Sequence, residues 1–340
     1  MSASVSRETG PDRFEVSSDG AVAGFAQFVD HDGRLGCGRI HRSSLSDPPA
    51  GRVVAYDTHK LGDANLAAMA KFAKPEDRQL IHARVLASKQ VSPHFTRITL
   101  GGPGMADYTH QGFDQFFRLF FPKVGQAKLR LPTATSNLWY AQYLLMSKDT
   151  RPGVRNYTVR SYRPAGQGQF GDTAEIDVDF AVHGDIGIIY QWLNSVSIGD
   201  EVVLLDEGHS FEPPKDAQWH LLVGEESALP AIIGIIESAP RPFRAEAFIE
   251  IPDEGDKQEF DVPEGVNVHW VIRTDHEAKA GAAVGEAVRA AALPSEPVYA
   301  FIAGESELCK GMRRYLVNDR GVPKSHVNFT GYWKQGRAAG

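Results

Sequence analysis

An antiparallel β-barrel followed by a parallel α/β sheet is the fold this sequence predicts, on two observations. Between Ile81 and Leu205, short apolar or alternating runs are separated by turn residues, the spacing of a closed or nearly closed barrel. Beyond Phe211, strand-like runs alternate with helical ones, the pattern of a doubly wound parallel sheet. Glu212-Pro-Pro-Lys-Asp216 lies between the two textures and reads as a linker.

The predicted barrel strands are Ala83–Lys89, Thr96–Leu100, Gln115–Phe121, Arg155–Tyr162, Glu175–Val182 and Glu201–Leu205, with turns at Ser92-Pro93, Gly101-Gly102-Pro103 and Pro122. Leu131–Arg151 interrupts them and is partly helical around Leu138–Met146, and Gly187–Ser195 makes a short helix. In the second region Trp219–Gly224, Ala245–Ile251, Asn267–Arg273, Val298–Gly304 and His326–Gly331 are strands. Ala228–Ser238, Gly281–Ala292 and Glu307–Asp319 are helices, Pro230 being tolerated in the first turn. Residues 1–75 carry short strand signals at Arg13–Val16, Val22–Val29 and Arg34–Ile40, with turns between them, a small meander, and helical turns at Asn65–Phe72. The expected division is 1–77 as an N-terminal extension, 78–212 as the barrel and 213–340 as the α/β domain.

Composition narrows the function. The 340 residues suffice for about two domains of roughly 150. Lys+Arg number 36 against 43 Asp+Glu, a net charge of −7, which argues against nucleic acid as a partner because such binding needs a basic footprint. The two cysteines, Cys37 and Cys309, exclude a disulfide scaffold and any four-cysteine zinc or iron–sulfur site within the chain. The twelve histidines form no H-x-x-x-H or H-E-x-x-H cluster, so no metal site is expected. The opening MSASVSRETGPDRFEV has no apolar core of a secretory signal, and the best apolar stretch, Leu229–Ile236, is short and broken by Pro230 and Gly234. The expectation is a cytoplasmic protein without membrane insertion.

The sharpest chemistry lies in Arg155-Asn156-Tyr157-Thr158-Val159-Arg160. On a strand, Arg155, Tyr157 and Val159 point one way and Asn156, Thr158 and Arg160 the other. An aromatic ring beside a hydroxyl and guanidinium groups suits a flavin: Tyr157 covers the ring face, Thr158 bonds near N5, and an arginine holds the pyrophosphate. The same pattern also reads as a surface strand with cross-strand salt bridges. Downstream, His183-Gly184-Asp185-Ile186-Gly187 precedes a helix start, a setting that attracts phosphate. Gly224-Glu225-Glu226-Ser227-Ala228 and Ala303-Gly304-Glu305 each follow an apolar strand and open a helix, the edge at which open α/β sheets bind ligands. No G-x-G-x-x-G is present.

Taken in order, these segments resemble the siderophore-interacting proteins, FAD-containing ferric-siderophore reductases related to the ferredoxin reductases. The landmarks are LASKQVSPHFTRITL (86–100), Asp114-Gln115 with Arg118-Leu-Phe-Phe-Pro122, RNYTVR (155–160), DFAVHGDIG (179–187) with Trp192, Gly199-Asp200, GEESALP (224–230), Arg313-Arg314-Tyr315-Leu316 and Gly331-Tyr-Trp-Lys-Gln-Gly336. They span about residues 80–337. The resemblance implies a ferredoxin-reductase-like fold, FAD as cofactor, NADH or NADPH as donor, and a ferric siderophore as substrate whose Fe(II) is released in the cytoplasm. It implies Tyr157 and Thr158 at the reacting ring, and Arg155, Val159, Arg160, Asp179, His183, Asp185 and Gly187 along the flavin dinucleotide. It implies Glu226, Ser227 and Ala228 at the nicotinamide mouth and Trp333 at the flavin edge. Lys334, Arg337 and Arg118 would form a docking patch for an anionic ferric chelate. Two departures stand out. Ile188-Ile189-Tyr190 replaces the family's Pro-Ala-Ser, removing a hydroxyl from the phosphate site. Asp206-Glu207-Gly208 replaces its Gly-Pro, placing carboxylates where they would repel phosphate. The alternatives are a flavoprotein reductase serving a protein acceptor such as a ferredoxin, and a siderophore-binding protein without enzymatic activity.

Overall fold

A computed structural model of the chain describes residues 4–7, 14–17, 25–29, 35–39, 73–75, 78–126, 128–135, 139–182, 187–275 and 277–336. The chain divides into two compact units, residues 1–69 with 130–151, and residues 70–129 with 152–340. In the first unit, β1 (Ser4–Arg7) pairs antiparallel with β2 (Phe14–Ser17), and β3 (Phe25–Val29) with β4 (Leu35–Arg39). The expected meander is therefore two separate hairpins. The helical turns expected at 65–72 lie outside the described residues.

The second unit opens with a seven-stranded antiparallel sheet of β5 (Leu80–Ser92), β6 (Phe95–Gly101), β7 (Phe116–Phe121), β8 (Gly153–Thr158), β9 (Ser161–Arg163), β10 (Glu175–Ala181) and β11 (Glu201–Gly208), in the order β8-β7-β11-β5-β6-β10-β9. Alternation along these strands puts Val85, Ile98, Leu100, Phe117, Leu119, Ile176, Val178 and Leu204 in one interior, which is the barrel core. In the first unit, α1 (Trp139–Leu145) follows β7 in sequence. In the second, α2 (Ile188–Ser195) inserts Trp192 among Phe121 and Phe180. The single strand expected at Arg155–Tyr162 breaks at Val159-Arg160. Val159 N–H donates to Gln115 O at 2.9 Å and Arg160 N–H to Asp177 O at 2.8 Å, so the chain leaves the β7 ladder there and crosses to β10, narrowing the barrel's open seam.

The parallel sheet has the order β14-β13-β12-β15-β16, from β12 (Trp219–Gly224), β13 (Ala245–Ile251), β14 (Val266–Ile272), β15 (Val298–Glu305) and β16 (Val327–Trp333). Helix α3 (Leu229–Ser238) covers one face with Ile232, Ile235 and Ile236, and α4 (Ala282–Ala290) and α5 (Ser306–Arg314) cover the other around Val284, Val288, Leu308 and Met312. Two expectations shift. The helix expected to reach Asp319 widens into a π-helical turn at Tyr315–Asp319, and the last strand runs on to Trp333 instead of stopping at Gly331.

Candidate functional site

Strand β8 lies antiparallel to β7, with Tyr157 opposite Phe117 and Asn156 opposite Arg118. Its alternation holds. Tyr157 and Val159 turn to the barrel interior, where the Tyr157 ring packs on Phe180 at 4.2 Å between centroids. Burial pushes the Tyr157 phenol well up from its ordinary value. Thr158 and Arg160, both buried, face the α/β domain. Burial likewise drives the Tyr332 phenol of β16 upward, with the Asp114 carboxylate adding to the shift and the Thr158 hydroxyl opposing it. Arg160, on the same side of the strand as Thr158, reaches Glu237 at the end of α3, which sets this face against the α/β domain. Arg155 is half-buried and donates through Nη1 to the Val154 carbonyl at 2.7 Å.

Two residues grouped with these by sequence have other partners. Arg160 Nη1 reaches Glu237 Oε2 at 3.2 Å, across to the end of α3, and its Nε reaches Gln258 Oε1 at 3.4 Å. Asp179 receives the fork of Arg97 at 2.6 and 2.8 Å and Gln258 Nε2 at 3.1 Å. Both tie the barrel to the α/β domain or to itself. At the start of α2, Gly187 has φ 131°, and among the described residues no side chain caps the helix and nothing lies within 4 Å of where a Cβ would sit. Uncapped N–H groups at an open helix start suit a phosphate. His183 and Asp185, expected beside it, lie outside the described residues.

The turn after β12 sits at the centre of the parallel sheet. Glu226 and Glu250, fully buried, share Arg273, whose Nε donates to Glu250 Oε1 at 2.7 Å and whose Nη2 bonds Glu226. Glu250 also receives the N–H groups of Gly281 and Val284 at the start of α4, at 2.8 and 3.0 Å. Glu225, equally buried, accepts the Ser227 N–H and the Trp333 Nε1–H, each at 2.9 Å, and the Ser227 hydroxyl. Ala228 is buried behind this turn and Ser227 is half-buried at its surface. Arg273 is thus spent on carboxylates and Arg244 pairs with Glu296 at 3.0 Å, so neither of these strand-edge arginines is held ready for a 2′-phosphate.

The docking residues are scattered over separate partners. Arg118 bonds Glu207 and reaches Asn156 Oδ1 at 3.3 Å. Lys334 Nζ approaches Glu307 Oε1 at 3.5 Å, and Arg337 lies outside the described residues. The carboxylates expected to repel phosphate are buried and occupied. Glu207 is bonded by Arg78 and Arg118, with Lys74 at 3.9 Å, and Asp206 accepts Gln115 Nε2 and the Gly208 N–H, each at 2.9 Å. Among the described residues no group of three His, Cys, Asp or Glu is placed to hold a metal ion. The sequence reading missed Glu225, Tyr332 and Asp114. Only the doubled carboxylate of Gly-Glu-Glu, directly after a buried strand, offered a local signal for the first.

The donor set fits a flavin dinucleotide on three counts: a hydroxyl at Thr158, the half-buried Arg155 guanidinium on the same strand, and the open backbone cradle at Gly187. Comparison with known proteins agrees. A family model described as the siderophore-interacting FAD-binding domain matches residues 84–210, and one described as siderophore-interacting protein matches residues 217–336. An uncharacterized protein of Mycobacterium tuberculosis is 33% identical over 268 residues, 76% of this chain and 91% of its own. The ferric vibriobactin reductase of Vibrio cholerae is 28% identical over 253 residues, covering 73% of this chain and 87% of its own. The NADPH-dependent ferric-chelate reductase of Escherichia coli is 26% identical over 253 residues, 73% and 91%. Among solved structures, the siderophore-interacting protein of Aeromonas hydrophila is similar at 28% identity and a TM-score of 0.62, covering 76% of this chain and 93% of its own. The ferredoxin-NADP+ reductase of Plasmodium falciparum, at 10% identity and a TM-score of 0.51 over 74% of this chain and 96% of its own, shares the fold alone.

Proposed function

The chain belongs to the siderophore-interacting protein family, and from that premise we propose that it reduces ferric siderophores with electrons from NADH or NADPH. It is a flavoprotein oxidoreductase with a ferredoxin-reductase-like fold, and FAD is its cofactor. The observation that carries the reading is the placing of the flavin strand: Tyr157 and Val159 fill the barrel core while buried Thr158 and Arg160 turn the other way, Arg160 reaching Glu237 of α3 at 3.2 Å, so that face lies against the dinucleotide-binding half. The names of the Vibrio cholerae and Escherichia coli relatives support the substrate class and the donor.

In this reading Arg155 and the start of α2 after Gly187 hold the pyrophosphate, Tyr157 flanks the ring, and Thr158 places a hydroxyl at the reacting edge. His183 and Asp185 would extend the phosphate contacts. Val159 seats the strand by filling the barrel core, while Arg160 and Asp179 hold the domains in register around the cofactor. Glu226 and Ala228 shape the turn from beneath, and Ser227 and Trp333 present its surface to the nicotinamide. Bound FAD supplies acceptance of a hydride and delivery of single electrons to iron. Overall, one NAD(P)H and two Fe(III) give NAD(P)+, two Fe(II) and a proton. The iron arrives as substrate inside its chelate, and hard oxygen donors release it once reduced. Lys334, Arg337 and Arg118 would steer an anionic chelate toward the flavin edge. No helix among the described residues is long and apolar enough to cross a membrane, and release of Fe(II) is assigned to the cytoplasm.

The test is an anaerobic titration. NADH or NADPH should bleach the flavin absorbance, and a ferric siderophore should restore it with Fe(II) appearing in a ferrozine assay. Bleaching followed by faster reoxidation with a ferredoxin than with any ferric chelate would move the assignment to a protein acceptor. Protein that takes up no FAD would overturn it.

A further inference from the structure

The parallel sheet reverses its winding between β12 and β15, and the crevice at such a reversal is where open α/β sheets bind dinucleotides. Here a buried carboxyl group lies at that reversal. Glu225 lies between the ends of the two strands, and the approach is close: a Cβ on Gly304 of β15, where φ is 124°, would sit 2.5 Å from Glu225 Oε1. Glycine is needed at 304 both for that conformation and for that contact.

Among the described residues no cation pairs with Glu225. Its acceptors are filled by the Ser227 N–H and hydroxyl and by the Trp333 indole. Glu226 stands next to it on the same turn. Arg273, directly after β14, is committed to Glu226 and to Glu250 of β13. Glu305, at the end of β15, is buried and bound by the N–H groups of Glu307, Leu308 and Gln335. From α5 comes the buried Cys309 thiol, and from β16 the Tyr332 phenol. One guanidinium therefore serves a cluster of buried carboxyls and reaches neither Glu305, which three backbone N–H groups hold, nor Glu225. A charge at Glu225 would face the phosphates of any dinucleotide entering the crevice, whereas a neutral carboxyl would not.

We infer that Glu225 couples dinucleotide binding to proton uptake, its neutral form admitting the anionic ligand and its charged form opposing it. The inference rests on the proposed nicotinamide site in this sheet and adds its regulation by pH. Burial, with the neighbouring Glu226 charge behind it, pushes the Glu225 carboxyl up to about 7, inside the working range. The sign follows. Below that value Glu225 is already neutral and binding is insensitive to pH. Above it a proton must be taken up, so affinity falls as pH rises, by at most about tenfold per pH unit.

The experiment is calorimetric titration of the FAD-loaded protein with NAD+, which cannot reduce the flavin and carries no group titrating near neutrality. It is run from about pH 6 to about pH 8.5 in two buffers of different ionisation enthalpy, so that protons taken up are counted directly. The expected result is a dissociation constant rising above neutrality with uptake approaching one proton, and a flat, tight profile for Glu225→Gln. Proton uptake in the unaltered protein decides the matter even if that variant fails to fold. A pH-independent dissociation constant with no uptake, in protein whose flavin NADH still bleaches, overturns the coupling and leaves the reductase reading standing. Absence of both NAD+ binding and bleaching overturns the two together.

Discussion

Ser210 donates its hydroxyl to Asp114 at 2.5 Å, and the same buried carboxylate accepts the N–H groups of Ser210 and Phe211 at 3.0 and 2.8 Å. Asn328 Nδ2 then bonds the Ser210 carbonyl at 2.6 Å and hydroxyl at 3.1 Å. A side chain just before β7 is thereby linked, through the exit of β11, to the start of β16. The far end of β16 carries Tyr332 and Trp333 into the site.

Asp114→Ala strands three buried donors at once and is expected to cost about 3 kcal/mol or more, since each orphaned group costs about 1–3 kcal/mol. Asp114→Asn keeps one carbonyl acceptor and should lose about half as much. Urea denaturation of the pair checks this. An alanine variant within about 0.5 kcal/mol of the parent would show that the link carries no load.

Thr158→Val keeps the shape of the side chain and removes its hydroxyl. The variant is expected to bind FAD but to be reduced by NADH about 100-fold more slowly in stopped flow, the scale for losing one donor at a reacting centre. Arg155→Ala should instead weaken FAD binding by about 10- to 100-fold, the loss of charge-assisted bonds worth about 1.5–3 kcal/mol, read by recovery of flavin fluorescence on dilution. Equal effects of both variants on both readouts would contradict the division of roles.

Period-two reasoning made the site strand legible. Tyr157 and Val159 face the core and Thr158 and Arg160 face the α/β domain because a strand alternates, and neighbours in sequence settle that. Pro230 in a helix's first turn was legible for the same local reason. What escaped was set by distant partners. Arg160 resembles a phosphate ligand until Glu237 and Gln258, far along the chain, come to meet it. Asp206 and Glu207 look repulsive in sequence because their partners Arg78, Arg118 and Gln115 approach from distant parts of the chain. The break of the strand at Val159-Arg160 is likewise decided by Gln115 and Asp177, which no local pattern brings near.

Asp256 docks the α/β domain on the turn between β5 and β6. Its buried carboxylate accepts the Ser92 hydroxyl at 2.7 Å, the His94 N–H at 2.9 Å and the His94 ring at 2.7 Å. Burial alone would raise its pKa, but the Ser92 and His94 donors outweigh that and hold it below the ordinary value. A depressed carboxyl contributes stability above its unfolded value and loses it as pH falls through the folded one. Asp256→Asn should therefore destabilise the protein near neutrality and progressively less in acid, converging with the parent in thermal melts once pH falls below the depressed value of the carboxyl. A gap independent of pH would mean the contact does not act through its charge.

Glu225 has the opposite sign. Its carboxyl is raised from 4.5 to about 7 by burial and then by Glu226. Below 4.5 the folded and unfolded states are both protonated and the shift contributes nothing. As pH climbs from there to about 7, the unfolded chain ionises while the folded one resists, so the native state loses ground, and above about 7 the loss is complete. Glu225→Gln removes that penalty while its amide oxygen still accepts from Ser227 and Trp333. The variant should melt close to the parent near pH 4 and increasingly above it up to neutrality, by about 2–4 °C for each kcal/mol regained. Calorimetric scans at a series of pH values read this in the protein without any dinucleotide. A variant less stable than the parent at alkaline pH would show that the charged carboxylate is welcome in the crevice, and the folded-state cost assigned to it would be withdrawn.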